Sequence, residues 1–155
     1  MAWSNSKAFM ATIEDVWENT CAFDTDSDTF KVALFDNSIT PSQTVASAST
    51  AYGAGVWASG GVSDASGWPA AGRSLASVTS GFSSNVYTFD AADTASANST
   101  TTLASNYGCL VYDDTLTTPV ADQGFVYIYF GGAQSVTSGT YTISWNSSGL
   151  MALTA

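Results

Sequence analysis

Residues 124–153 read GFVYIYFGGAQSVTSGTYTISWNSSGLMAL. Positions 125–130 form an unbroken apolar run, the pattern of a strand covered on both faces. Gly131 and Gly132 interrupt it, and Ser138 and Gly139 close the connection that follows. Tyr141, Ile143 and Trp145 then alternate with Thr140, Thr142 and Ser144, the period of a strand with one buried face. Asn146, Ser147, Ser148 and Gly149 make a turn cluster, after which Leu150, Met151 and Leu153 return as a last short strand. This is the densest aromatic and β-branched part of the chain. It predicts three consecutive strands at the centre of the sheet, with the rest packed around them.

Upstream, the same period recurs. Residues 29–35, TFKVALF, place Phe30, Val32 and Leu34 on one face and Lys31, Ala33 and Phe35 on the other. VYTFD at 86–90 and YGCLVY at 107–112 are clear strands, the second ending at Asp113 and Asp114. Residues 100–103 and the segment holding Leu75 and Val78 are weaker candidates, and 115–124 reads as a hairpin-like connection. One stretch, 4–20, has the helical period: Phe9, Ile13, Val16 and Trp17 make an apolar stripe, Ser4 or Ser6 can cap it, and Glu14, Asp15 and Glu18 take the solvated side. The predicted fold is mainly β: an antiparallel β-sandwich or closed sheet with one N-terminal amphipathic helix.

Residues 36–72 are long and irregular, with Pro41 and Pro69 and scattered apolar residues. Either the segment carries short strands near 44–49 and 55–58, or it is an arm that orders against a partner. Trp57 and Trp68 within it, and Trp3 at the N-terminus, are the candidate partner-binding residues, because tryptophan is a common interface anchor. The competing reading places Trp57 and Trp68 in the domain's own core.

The 155 residues suit a single domain spanning 1–155, able to build a core without disulfides. Charged residues are 10% of the chain, and 23 serines and 20 threonines take their place. Net charge is −10, and the basic residues are Lys7, Lys31 and Arg73 alone. Nucleic-acid binding needs clustered Lys and Arg and is excluded, and an anionic membrane surface is disfavoured as a partner for the same reason. No apolar run reaches the roughly 20 residues of a spanning helix. The first 17 residues lack a charged region followed by an apolar one, so synthesis in the cytoplasm without general export is expected. In that reducing setting Cys21 and Cys109 are expected to stay unpaired.

Chemistry is poorly signalled. The chain has no histidine, which removes the commonest general base and metal ligand. Asp90 with Asp93, and Asp113 with Asp114, are the candidate carboxylate pairs, but all sit at strand ends where Asp ordinarily serves turns. Asp24-x-Asp26-x-Asp28 begins like a calcium loop and then fails, with Thr29 in place of the glycine and Phe35 in place of the final glutamate. No cofactor, metal or catalytic residue is assigned.

The order of segments carries more. A helix leads into Phe30-Lys31-Val32-Ala33-Leu34-Phe35, then Gly67-Trp68-Pro69-Ala70-Ala71-Gly72-Arg73-Ser74-Leu75 and Thr88-Phe89-Asp90-Ala91-Ala92-Asp93. Gly108-Cys109-Leu110-Val111-Tyr112-Asp113-Asp114, Tyr127-Ile128-Tyr129-Phe130-Gly131 and the stretch from Gly139 to Leu150 complete it. This order resembles a family of small structural proteins of tailed bacteriophages over nearly the whole chain, most strongly from Thr88 onward. It departs where Ala71 stands in place of a first glycine, in the small residues of 94–102, and in a longer 36–67 insertion.

The resemblance implies a non-catalytic virion component, assembled in the host cytoplasm. The leading expectation is a capsid decoration or cement protein that bridges subunits of the major capsid protein and self-associates as part of the shell. The competing placement is a tail or head–tail component contacting tail proteins. A separate reading, resting on Trp and Tyr rings that could stack on sugars, is a receptor- or carbohydrate-binding module.

Overall fold

Two strands with apolar side chains on both faces, Phe30–Phe35 and Thr101–Asp113, organise the molecule. The computed structural model describes residues 3–154. In chain order they form β1 (Lys7–Ala8), α1 (Met10–Trp17), β2 (Phe30–Phe35), β3 (Gly61–Val62), β4 (Arg73–Ser74), β5 (Ala76–Ser83), β6 (Val86–Ala92), β7 (Thr94–Ala95), β8 (Thr101–Asp113), β9 (Gly124–Gly139), β10 (Thr142–Ile143) and β11 (Met151–Thr154). The main sheet runs β1-β9-β8-β2-β3, with β4 also on β2. A second sheet runs β11-β6-β5, and β10 pairs β7. Every pairing is antiparallel.

The alternation in β2 decides the layers. Phe30, Val32 and Leu34 join Cys109 and Val111 of β8 and Val126 of β9 in one core, closed by Phe89 of β6, Ile143 of β10 and Trp68. Ala33 and Phe35 join Leu110, Tyr112 and Tyr127 in a second core on the opposite face, closed by Trp3, Phe9, Ile39 and Trp57. The main sheet is therefore packed on one side by the two small sheets, as in a sandwich, and on the other by the N-terminal segment and residues 36–58. The path of the main sheet is open, ending at β1 and β3.

Residues 36–72 pack against the rest of the chain: 36–58 cover the second core, Gly61–Val62 joins the main sheet, and Trp68 enters the first core. The positions expected as short strands are 3₁₀ turns, Ser47–Ser49 and Gly55–Ala58. Ile39, Thr50, Ala51, Trp57 and Trp68 are buried. Asp64 fastens the far end. Its Oδ2 accepts the Thr102 N–H at 2.8 Å, while Oδ1 accepts from Ser66 and Gly67, and these donors hold its carboxyl down at about 2.

The C-terminal stretch also departs from expectation. β9 continues through the Gly131-Gly132 break to Gly139. Between the Gly108–Tyr129 and Asn106–Gln134 pairs, residues 130–133 oppose Tyr107 alone, a bulge in which both glycines take positive φ (80° and 155°). β10 and β11 leave the main sheet and pair with β7 and β6, so the three strands are divided among three sheets. Likewise 100–103 and 107–112 are one strand, β8, with Ser105 at φ 57°.

Candidate functional site: an apolar cleft beside the helix

The helix is shorter than its apolar stripe suggested. It starts at Met10, preceded by extended Phe9, and has no side-chain cap. Before it, Lys7 and Ala8 pair with β9, Lys7 opposite Tyr127, and Ser6 Oγ accepts the Tyr129 N–H at 3.0 Å. The inward helical position is Thr12, whose hydroxyl donates to the Gly124 carbonyl at 2.6 Å. Gln123 Nε2 adds a bond to Asp15 Oδ2 at 2.7 Å. These contacts turn the Ile13–Val16–Trp17 side away from the main sheet. Val16 is 42% exposed and Trp17 84%. The stripe expected to be buried is thus partly a surface.

Three strands supply the facing wall. Phe82 of β5 stands opposite Tyr87 of β6, and Leu153 of β11 stands opposite Tyr87 from the other side. Residues directly opposite share a face, so these three form one cross-strand row. Phe82 is 87% exposed, and Leu153 and Tyr87 are about half as open. Between row and helix lies a cavity of about 220 Å³, lined by Val16, Trp17, Phe23, Tyr87, Phe125 and Leu153 among others. A shallower hollow continues past Trp17 and Phe82 to Asn85 and Thr154.

The floor belongs to the core. Phe23 lies 5.1 Å from Phe125 and 5.5 Å from Phe30, and Phe125 lies 4.8 Å from Phe89, centroid to centroid. A rigid aromatic floor under exposed aromatic walls is the form of an interaction site, since isolated domains rarely leave such rings in water without a use. The nearest charges along the chain are acidic and exposed: Glu18 caps α1 after Trp17, and Asp24 and Asp26 flank Phe23 and Thr25. The basic residues are elsewhere. Lys31 pairs with Asp114 at 2.7 Å, Arg73 donates to the Ala95 carbonyl, and Lys7 lies on β1.

None of the three tryptophans named as partner contacts has the exposure that role requires. Trp3, Trp57 and Trp68 are at most 2% exposed. Trp3 donates to the Asp36 carbonyl at 2.7 Å and packs edge-on against Trp57, with centroids 5.9 Å apart. Trp57 sits 5.0 Å from Phe35. Trp68 donates to the Val32 carbonyl at 3.2 Å and meets Tyr141 at 5.6 Å. Each indole fills a core, and Trp3 and Trp68 satisfy their N–H groups on backbone, so burial wins for all three. Sequence reasoning missed Trp17, Phe82 and Leu153. Only Phe82 carried a usable signal, as a lone aromatic in the small polar stretch Ser80-Gly81-Phe82-Ser83-Ser84.

The candidate chemical groups are occupied by structure. Asp24 and Asp28 accept bonds from within their own turn, which lowers the Asp24 carboxyl. Among the described residues no cluster of acids, histidines and cysteines is arranged to hold a metal. Asp93 accepts from Ser144 and Trp145, and Asp90 from Ala91. Both cysteines are free and buried, and burial pushes the Cys21 thiol up to about 11. Asp113 is fully buried, and burial is the largest influence raising its carboxyl to about 6.

Comparison with family models, with curated proteins and with solved structures finds no match to this chain.

Proposed function

We propose that this protein is a non-catalytic structural component of a bacteriophage virion, one that decorates the outer shell by docking on the major capsid protein. The observation that carries the docking half of this reading is the exposed aromatic cleft of Trp17, Phe82, Tyr87 and Leu153, seated on a rigid core. The virion half rests on the order of segments described above. Binding only the assembled shell would stabilise that shell by mass action. An interface of about 1,600 Å² in total, the standard size, would hold each copy. The acidic surface suits an outward-facing part, since like charge keeps particles apart.

A sugar-binding role fits this cleft less well. Sugar recognition needs free polar groups beside the stacking ring, and Thr12 in the cleft wall already donates to Gly124. The test is antibody–gold labelling of intact virions viewed by electron microscopy. Gold spread over the head is the expected result. Gold confined to the tail replaces decoration with a tail role, and unlabelled particles overturn the virion reading.

A further inference from the structure

The cleft runs beside an open strand edge. β11 pairs with β6 on one side, and no strand pairs with its other side among the described residues. The row Phe82–Tyr87–Leu153 therefore ends at a strand that can accept one more neighbour. An added strand would present its own side chains in line with Leu153 and Met151, both of which line the cleft. Short edge strands of this kind are a known route to strand addition by a partner.

Charge decides what the added strand can be. Exposed Glu18 follows Trp17, exposed Asp24 and Asp26 flank Phe23 and Thr25 in the chain, and none of Lys7, Lys31 or Arg73 lines the cleft. A second copy of this chain would bring the same acidic flank against the first, with a net charge of −10 on each. We infer that the cleft and the free edge of β11 receive an extended segment of another protein, apolar at alternate positions and flanked by Lys or Arg. This rests on docking through the cleft and does not depend on which part of a particle carries the protein.

The experiment is a fluorescence titration of the purified full chain. The probe is a short synthetic peptide with leucine at alternate positions and paired lysines at both ends. Its controls carry glutamates in place of the lysines, or N-methyl groups at alternate backbone nitrogens. The lysine peptide is expected to bind at least about 10-fold more tightly than the glutamate peptide at low salt, with the gap narrowing as salt rises. N-methylation should abolish binding, because the strand could no longer pair. Trp17→Ser and Leu153→Lys should each weaken binding by about 10-fold or more while keeping the wild-type thermal transition, since both side chains are exposed.

Failure of the lysine peptide to bind, equal binding of both charge forms, or full binding by the N-methylated peptide overturns the inference. So does sedimentation of the free protein as a dimer that Trp17→Ser dissociates, which would make the occupant a second copy. Gold on virion heads together with a failed titration leaves decoration standing and removes this partner. A successful titration with unlabelled virions does the reverse.

Discussion

Asp113 gives the sharpest test of the energetics. It ends β8 with none of its surface exposed. Oδ1 accepts the backbone N–H of Thr115 at 2.8 Å and of Leu116 at 3.1 Å, so it shapes the turn after the strand. Oδ2 is buried without a hydrogen bond, and the Asp28 carboxylate acts on the same group. Burial, with help from Asp28, raises the carboxyl from 3.8 to about 6 against the two N–H donors. Below pH 4 the group is protonated in both the folded and unfolded chain and costs nothing. As pH climbs from 4 to 6 the unfolded chain releases its proton while the folded chain keeps it, so stability falls. Above pH 6 the full cost stands.

A shift of about two units at about 1.36 kcal/mol each sets a ceiling near 3 kcal/mol, and water around the half-buried Asp28 brings the expectation to about 1–3 kcal/mol. Asp113→Asn keeps the Oδ1 acceptor, removes the charge, and offers Asp28 a donor. At pH 7 the variant should therefore be more stable by that amount, or roughly 2–10 °C in Tm for a domain of this size. Near pH 4 the two proteins should coincide. Thermal unfolding followed by circular dichroism from pH 4 to 7.5 measures this. A variant that is less stable at pH 7, or whose advantage does not change with pH, refutes the reasoning.

Trp68→Ala should cost about 3–5 kcal/mol in urea unfolding, the range for deleting a fully buried indole, whereas Trp17→Ser should stay within about 0.5 kcal/mol. Equal effects at the two sites would contradict the assignment of core and surface. Gly72 has φ +85°, and a Cβ there would run into the Val32 carbonyl, so Gly72→Ala should lose several-fold in soluble yield and about 3 kcal/mol or more of stability. Gly53 also has positive φ (+78°) but open space around it, so Gly53→Ala should cost only about 1 kcal/mol by the same denaturation assay.

Much of this protein is written in two-residue alternation. The division of β2 into Phe30, Val32, Leu34 and Ala33, Phe35 anticipates its two cores, because a strand has no choice but to send neighbours to opposite faces. The antiparallel, mainly β class follows from the same signal, as does the ending of β8 at Asp113. Strand partners do not follow. The 139–153 strands look like continuations of the main sheet, yet pairing with β7 and β6 is settled by long-range register that no local pattern encodes.

The helix and the tryptophans show the same limit for the functional surface. Periodicity marks Val16 and Trp17 as an apolar face but cannot say what that face meets. Thr12 and Gln123, bonded to Gly124 and Asp15, rotate the helix so that the face is left open. Tryptophans in an irregular segment look available for a partner. Residues 36–58 instead cover the Ala33–Phe35 side of the main sheet, because that face is as apolar as the other and must also be removed from water. Sequence alone determined which residues are apolar and at what period. Only the tertiary structure decided which apolar faces cover each other, and hence that Trp17, Phe82, Tyr87 and Leu153 remain uncovered.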